Sequence, residues 1–187
     1  MATMNAAEVG IGAGKVTGAI WVAPKGTTLP TDATTALSGT YKLLGFTSDA
    51  GVTITENSTT QDLIAWEGRS KVFTFSTEYY ESVSFQPIQT NSDVAQLTWG
   101  TSNVTVSGST IYAKHKADAL DPVVIVIETS PRTGIVKRYC GTFQLVARGD
   151  ATLDGTQSDM RQLTFDSIPD SNGVHLHEYA SVTGATA

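Results

Sequence analysis

The residues with the clearest capacity for metal chemistry are two histidines near the C-terminus. His175 and His177 lie in the sequence VHLHE at positions 174–178. On a β-strand both side chains would point to the same side, where two imidazoles could hold a metal ion as a pair. A stable site needs further ligands, and Glu178 would point to the opposite side. Two solvated histidines are therefore the favoured interpretation, and no metal is expected.

Three other features suggest chemistry without supporting it. Cys140 is the single cysteine, and with no convincing histidine partner it is expected to be a small core residue. The glycine-rich residues 10–14 follow no strand and lack the GxxxxGK(S/T) pattern of a phosphate-binding loop, so they are expected to be flexible. The tripeptide RGD at 148–150 resembles a cell-adhesion motif, but such short matches arise by chance and these residues suit a turn. The sequence therefore predicts a protein that is not an enzyme and needs no cofactor.

The composition favours a β-protein with an uncharged polar surface. Hydrophobic residues make up 40% of the chain and charged residues only 16%, so Ser and Thr must cover much of the surface. Thr is β-branched and fits a pleated, half-buried surface, and frequent glycine suits many turns. The formal net charge is −6. Because proteins that grip nucleic acid need a basic face to neutralise phosphates, this chain is not expected to hold DNA tightly.

Nothing in the sequence suggests secretion or a membrane span. A single cysteine cannot form an intrachain disulfide, and the N-terminus has neither the basic flank nor the apolar stretch of a signal peptide. The longest aliphatic run, 123–127, is far shorter than a membrane span. We therefore expect a soluble protein that is made in a cytoplasm.

Short alternating segments separated by Gly, Pro and Ser predict a series of β-strands. The clearest is 72–86, where apolar residues fall on odd positions and polar residues on even ones, which predicts one buried and one wet face. A turn is expected at 49–51. The strands are expected at 16–23, 41–47, 52–56, 63–66, 72–86, 104–106, 110–114, 122–129, 135–139, 142–148 and 160–166.

One short helix is expected after the longest strand. Asn91 or Ser92 can cap its first turn, Val94 and Leu97 share one face, and Gly100 can end it. This helix and the strands fit an all-β, antiparallel two-sheet β-sandwich or barrel with one short flanking helix.

The chain is expected to form one domain with an extended segment at each end. Residues 1–14 are predicted to be a flexible N-terminal arm. Residues 15–170 would form the β-sandwich, and 171–187 a C-terminal tail that contains Gly and Ser.

The order of these pieces resembles the major tail tube proteins of long-tailed bacteriophages, the siphophages, especially those that infect actinobacteria. The resemblance spans most of residues 15–170 and depends on the order of fold-forming pieces, since none of them is a catalytic signature. The matching pieces are 18–23 (GAIWVA), 26–30 (GTTLP), 44–54 (LGFTSDAGVTI), 65–68 (AWEG), the long alternating strand, 98–100 (TWG), and 162–165 (QLTF) before Pro169 and Asp170.

The resemblance implies a protein that assembles with copies of itself as six-fold rings stacked into a hollow tube. Such a tube forms around a tape-measure protein, meets tail-end proteins, and later conducts double-stranded DNA without binding it specifically. The protein would be a structural part of the virion tail, assembled in the bacterial host cytoplasm without membrane contact. Two physical arguments agree with this: a ring closes exposed strand edges, and an acidic bore would let DNA slide.

The family pattern places a long hairpin at the contact between rings or between subunits. Residues 56–66 match it, because 57–62 are too polar for a core while Leu63, Ile64 and Trp66 are too apolar to stay wet. Trp66 could instead belong to the intramolecular core. The expected interface residues are Glu56, Asn57, Asp62, Leu63, Ile64 and Trp66.

The even-numbered face of 72–86 is the candidate lining of the bore. If the odd face packs in the sandwich, the even face is the other surface of the sheet and could meet the passing DNA. The alternative is that this face meets solvent on the outside of the tube. The expected lumen residues are short and neutral or acidic: Thr74, Ser76, Glu78, Ser82 and Ser84.

A second class of function fits the same strand pattern. A β-sandwich binding module, such as an adhesin or a capsid decoration protein, would also lack catalysis. It would show an exposed aromatic platform on one face and form a stable monomer or small oligomer. An enzyme ranks third, because the sequence shows no catalytic constellation.

Overall fold

The computed structural model describes residues 12–130, 135–156 and 158–182. Within them the predicted all-β sandwich of antiparallel strands with one short helix is confirmed. The helix α1 spans Ser92–Trp99, and short 3-10 turns occur at Glu67–Arg69 and Thr101–Asn103. The strands are β1 (Ala13–Gly14), β2 (Ile20–Pro24), β3 (Lys42–Leu43), β4 (Thr47–Ile64), β5 (Lys71–Pro87), β6 (Val104–Ser107), β7 (Thr110–Ala113), β8 (Val123–Ser130), β9 (Ile135–Arg148), β10 (Leu163–Ile168) and β11 (His177–Val182).

One hydrogen-bonded sheet contains all of these strands except the β6–β7 hairpin. Its neighbours follow the order β3–β2–β8–β9–β10–β5–β4, with β1 added to β8 and β11 added to β9. Residues of β2 and β8 share one hydrophobic cluster with residues of β5 and β10, which lie further along this path. The sheet is therefore folded over into two layers that enclose the main core.

Aromatic and aliphatic side chains from both layers fill the main core. Phe85 of β5, Phe143 of β9 and Phe165 of β10 are fully buried there. The rings of Phe85 and Phe165 stack with their centroids 5.5 Å apart. These rings pack neighbouring strands against the facing layer. They anchor the half of β5 that pairs with β10.

Strand β8 is buried on both faces, which explains its continuous aliphatic sequence. Ile125 and Ile127 belong to the main core, whereas Val124 and Val126 belong to a second cluster with Cys140. The loop between β2 and β3 covers this second cluster. Burial raises the pKa of the Cys140 thiol to about 11, so Cys140 is the core residue that the sequence predicts.

Strand β9 changes its partner at Gly141. Residues 135–140 pair with β11, and residues 142–148 pair with β10. A Cβ atom on Gly141 would lie 2.8 Å from the carbonyl oxygen of His175. Glycine therefore allows the segment that leads into β11 to pack directly on β9 at the point where the partner changes.

A buried ion pair fastens the loop between β2 and β3 to the sheet. Arg138 of β9 donates to the Glu128 carboxylate of β8 through Nε, at 3.0 Å, and through Nη2. Arg138 also donates to the backbone oxygens of Asp32 and Thr35, each at 2.8 Å. Hydrogen bonds from Thr35 lower the pKa of the Asp32 carboxyl to about 2. Lys15 reaches the other oxygen of Glu128 at 2.8 Å, so one carboxylate holds both the loop and the segment after β1.

The predicted helix is confirmed with its caps. The Asn91 side chain accepts a hydrogen bond from the Val94 backbone at 2.8 Å, and its amide donates to the Leu44 carbonyl at the same distance. Val94 and Leu97 enter the main core. Gly100 ends the helix with φ of +87°, a conformation that glycine adopts without strain.

The turn predicted at 49–51 is wrong, because these residues form a bulge inside β4. The ladder between β4 and β5 loses its register between Thr47 and Val52, and the extra residues loop out there. Gly51 has φ of +72°, which costs little only for glycine. Strand β4 therefore continues through the predicted turn. It also continues through the polar residues 57–62 and joins the expected strand 52–56 to the start of the expected strand 63–66.

Both expected end segments contribute to the sheet. Ala13–Gly14 forms β1 and pairs with the end of β8, while residues 1–11 of the expected arm lie outside the described residues. His177–Val182 forms β11 and pairs along the first part of β9, so it is a strand of the sheet and not a free tail. Residues 183–187 lie outside the described residues.

Arg138→Met should lower the free energy of unfolding by about 3 kcal/mol, because it leaves Glu128 buried without its main partner. Lys15 still reaches this carboxylate, which keeps the loss at the lower end of the usual range. Lys137→Met on the same strand is the matched control, because its ion pair with Glu178 is exposed and contributes less than about 1 kcal/mol. Urea denaturation of the unassembled protein measures both. Equal losses would contradict the role of the buried pair.

Candidate assembly surface

In the part of the chain that the structure describes, the outer part of the β4–β5 hairpin has no third strand. Strand β10 pairs with β5 only as far as Ser82, and beyond it the described parts of β4 and β5 pair with each other alone. We call residues 57–64 and 71–80, with the turn that joins them, the ribbon, and we call residues 65–70 its tip. Because an isolated two-stranded hairpin is only marginally stable in water, the ribbon needs contacts that its own strands do not supply.

The ribbon exposes a large amount of apolar surface. Trp66 at the tip is 93% exposed, so the alternative that places it in the intramolecular core is wrong. Several exposed apolar side chains on one hairpin favour a binding site. The other exposed apolar side chains of the ribbon are Leu63, Ile64, Val72, Phe73, Phe75 and Tyr79.

A bulge in β5 inverts the alternation of its side chains. Thr59 of β4 pairs with Glu78, but the next residue, Thr60, pairs with Ser76, so β5 contributes one extra residue, Thr77. The side chains of β4 keep alternating across this point. Between the bulge and the tip, each side chain of β5 therefore points to the face opposite to the one that simple alternation along the strand predicts.

The single apolar face predicted for 72–86 is wrong for this reason. Phe73 pairs with Leu63 and lies, with Phe75, on the face opposite to the buried Val83. The two phenylalanine rings stack with their centroids 6.4 Å apart. Alternation holds only on the inner half of β5, where β10 and the core fix the face.

The bulge also divides the residues expected to line the bore. The register places Thr74 and Ser76 on one face of the ribbon, and Glu78, Ser82 and Ser84 on the other. Thr74, Ser76 and Glu78 are exposed, whereas Ser82 and Ser84 are half-buried. The structure therefore does not bring all five residues onto one surface.

The residues expected at the interface lie on β4 and the tip. Glu56 and Asn57 lie where the ribbon leaves the sheet, and Asp62 lies near the tip. The Asp62 carboxylate accepts hydrogen bonds from Lys71 at 2.8 Å and from Thr74 at 2.7 Å, and these bonds lower its pKa. Asp62 is thus held in place beside the exposed apolar residues of the tip.

The histidine pair is not brought together as a site. The Nδ1 atom of His175 lies 2.9 Å from the Ser167 hydroxyl, and its ring contacts Tyr79 edge-on. His177 faces Asp170 instead, at 3.4 Å. Across the residues that the structure describes, no three His, Cys, Asp or Glu side chains are grouped so that they could hold a metal ion.

A groove of about 850 Å³ lies at the base of the ribbon. Its walls are residues 12–19, 45–49 and 127–129 together with the inner part of β4, and we call it the base groove. Val16 and Phe46 line it and are 93% and 72% exposed. The sequence pattern predicts both residues inside strands, but the observed strands are too short to include them. The sequence therefore does not predict the base groove.

Comparison with known proteins identifies the family. A search of the curated proteins gives no significant match. In the described residues, no helix is long and apolar enough to cross a membrane. The family model described as phage tail tube protein matches residues 2–176, which is nearly the whole chain. The chain therefore belongs to the phage tail tube protein family and is a structural component of the phage tail.

Proposed function

We propose that this protein assembles with copies of itself as six-fold rings that stack into the hollow tail tube of a siphophage. The tube conducts double-stranded DNA into the host. The observation that carries this proposal is the ribbon, which exposes apolar side chains on a hairpin without a third strand. Burial against another subunit removes that surface from water and closes a strand edge that would otherwise invite uncontrolled pairing.

The tip is the centre of the proposed subunit contact. Trp66 offers the largest apolar side chain, and large aromatic residues contribute most at such contacts. Leu63 and Ile64 lie beside it and can exclude water from its surroundings. Asp62, already held by Lys71, can form part of a polar rim that fixes the orientation of the contact.

The bore is proposed to be lined by the polar inner part of one face, which carries Glu78, Ser82 and Ser84. Thr53 and Thr55 of β4 share this face with them. The two phenylalanines on this face lie nearer the tip, where the proposed subunit contact would cover them. Strands β4 and β10 contain no Lys or Arg. Strand β5 contains one such residue, Lys71, at its first position. A phosphate backbone would meet short neutral and acidic side chains here, so DNA could pass without being held.

The remaining partners follow from the proposed tube. A tape-measure protein would occupy the bore during assembly in the host cytoplasm, and tail-end proteins would close its ends. The protein acts by shape and surface, without catalysis or a cofactor. The arrangement of the described histidines and of the buried Cys140 supports this, since each has a structural partner or lies in the core.

Trp66→Ala should give a folded protein that no longer forms tubes, because the tip loses its largest apolar side chain. Electron microscopy and sedimentation of concentrated protein measure assembly, and circular dichroism measures folding. Leu153→Ala is the matched control, because Leu153 is 82% exposed on the loop between β9 and β10, outside the ribbon. It should assemble like the unsubstituted chain. Tubes from Trp66→Ala at an unchanged protein concentration would refute the role of the tip.

Glu78→Lys should allow tube assembly but slow genome ejection, because each ring would gain a belt of positive charge in the bore. The effect should be larger at low salt, where screening is weak. Ejection kinetics of phage that carry the substitution in every subunit measure it. Asp121→Lys, an equal charge reversal at an exposed loop residue, should leave ejection unchanged. Normal ejection with Glu78→Lys would remove this face from the bore.

A further inference from the structure

We infer that the ribbon tip of one copy docks in the base groove of a neighbouring copy, where Arg69 of the tip pairs with Asp49 of the groove. This inference rests on the proposed self-assembly and adds the surface that receives the ribbon.

The two surfaces match in chemistry. The tip projects Trp66 into solvent, and the groove presents Val16 and Phe46 above a wall that includes Ile54 and Ile127. A volume of about 850 Å³ lies in the range of sites that enclose a drug-sized ligand, so the groove can accept an indole ring with neighbouring atoms. Docking would remove two exposed apolar surfaces from water in one contact.

The tip cannot fill the groove of its own chain. Ile54 of the groove and Ile64 beside the tip are both on β4, and a strand rises about 3.3 Å per residue, which places them roughly 33 Å apart. The ribbon is paired along this length, so it cannot fold back without losing its ladder. The occupant supplied by the ribbon must therefore belong to a second copy.

The charges that remain without an ionic partner select the orientation of the contact. Lys15 and Glu128 in the groove already pair with each other at 2.8 Å. Asp49 also lines the groove and has no ionic partner within 12–130, 135–156 and 158–182. At the tip, Arg69 and Glu67 likewise have none in those ranges, and of these two only the cation Arg69 can pair with the anionic Asp49. Opposite charges beside apolar side chains give a contact its register and exclude wrong partners.

The backbone at the tip supports a role for the Arg69 side chain. Arg69 has φ of +51°, in the left-handed region that glycine adopts with less strain. Gly68, the residue before it, is also left-handed. The tight turn thus presents a charged side chain at a position where glycine would be easier to accommodate, close to the exposed Trp66.

Charge reversal at each side of the contact tests this inference. Arg69→Glu and Asp49→Lys should each lower the sedimentable fraction about tenfold, because each places like charges together. An equimolar mixture of the two variants should assemble, since the acidic tip of the first variant then meets the basic groove of the second. The unchanged tip of the second variant meets the unchanged groove of the first in the same way. The double variant should assemble alone for the same reason. Lys25→Glu, an exposed site outside both surfaces, is the control and should assemble normally.

The outcomes separate this inference from the proposed function. Recovery of tubes by the mixture supports the docking and also shows that both variants are folded. If the single variants assemble like the unsubstituted chain, or if the mixture stays soluble, the base groove does not receive the tip, although self-assembly stands. If the unsubstituted chain forms no rings or tubes, both the inference and the proposed function are wrong.

Discussion

An isolated two-stranded ribbon cannot bury its apolar side chains against its own backbone, and this constraint governs the molecule. The inner half of the β4–β5 hairpin is secure, because β10 adds a third strand at Ser82 and because Val83 and Phe85 enter the core. Among the described residues, the outer half has only its own two strands, and it still carries Trp66, Phe73 and other exposed apolar residues. In the proposed tube, contacts between copies supply what the described part of the chain lacks.

The body of the sandwich, in contrast, is complete within one chain. Strand β8 is covered on both faces, and the Arg138–Glu128 pair holds the loop between β2 and β3. Glu128 also holds Lys15, so the wall of the base groove is fixed before any partner arrives. A preformed groove lowers the ordering cost of binding. Since ribbon and groove are different surfaces of one chain, the inferred contacts between them would propagate from copy to copy and could close a ring.

Features set by neighbouring residues could be predicted from the sequence, and features set by distant partners could not. The helix cap at Asn91 and the strands expected at 104–106 and 110–114 follow from short-range patterns and are confirmed. The bulge at Thr77 arises from the register with β4, so alternation along β5 alone conceals it. Arginine is usually a surface residue, so the sequence alone does not show that Arg138 is buried. Its burial depends on Glu128 and on the loop that the fold places around it. The exposed apolar residue Trp66 stands out in the sequence beside polar residues, but the expected hairpin at 56–66 is wrong, because 56–64 form one strand of a longer hairpin with β5. The groove exists only in the folded chain.

Hydrogen exchange of the ribbon amides, in unassembled protein and in tubes, tests the central claim most directly. Amides of 57–64 and 71–80 should exchange much faster than those of β8 and β9 before assembly, because no third strand or core protects them. In tubes they should become as protected as the core strands. Protection that is already equal in the unassembled protein would show that the ribbon is stable by itself. Ribbon amides that stay unprotected in tubes would show that assembly does not bury it.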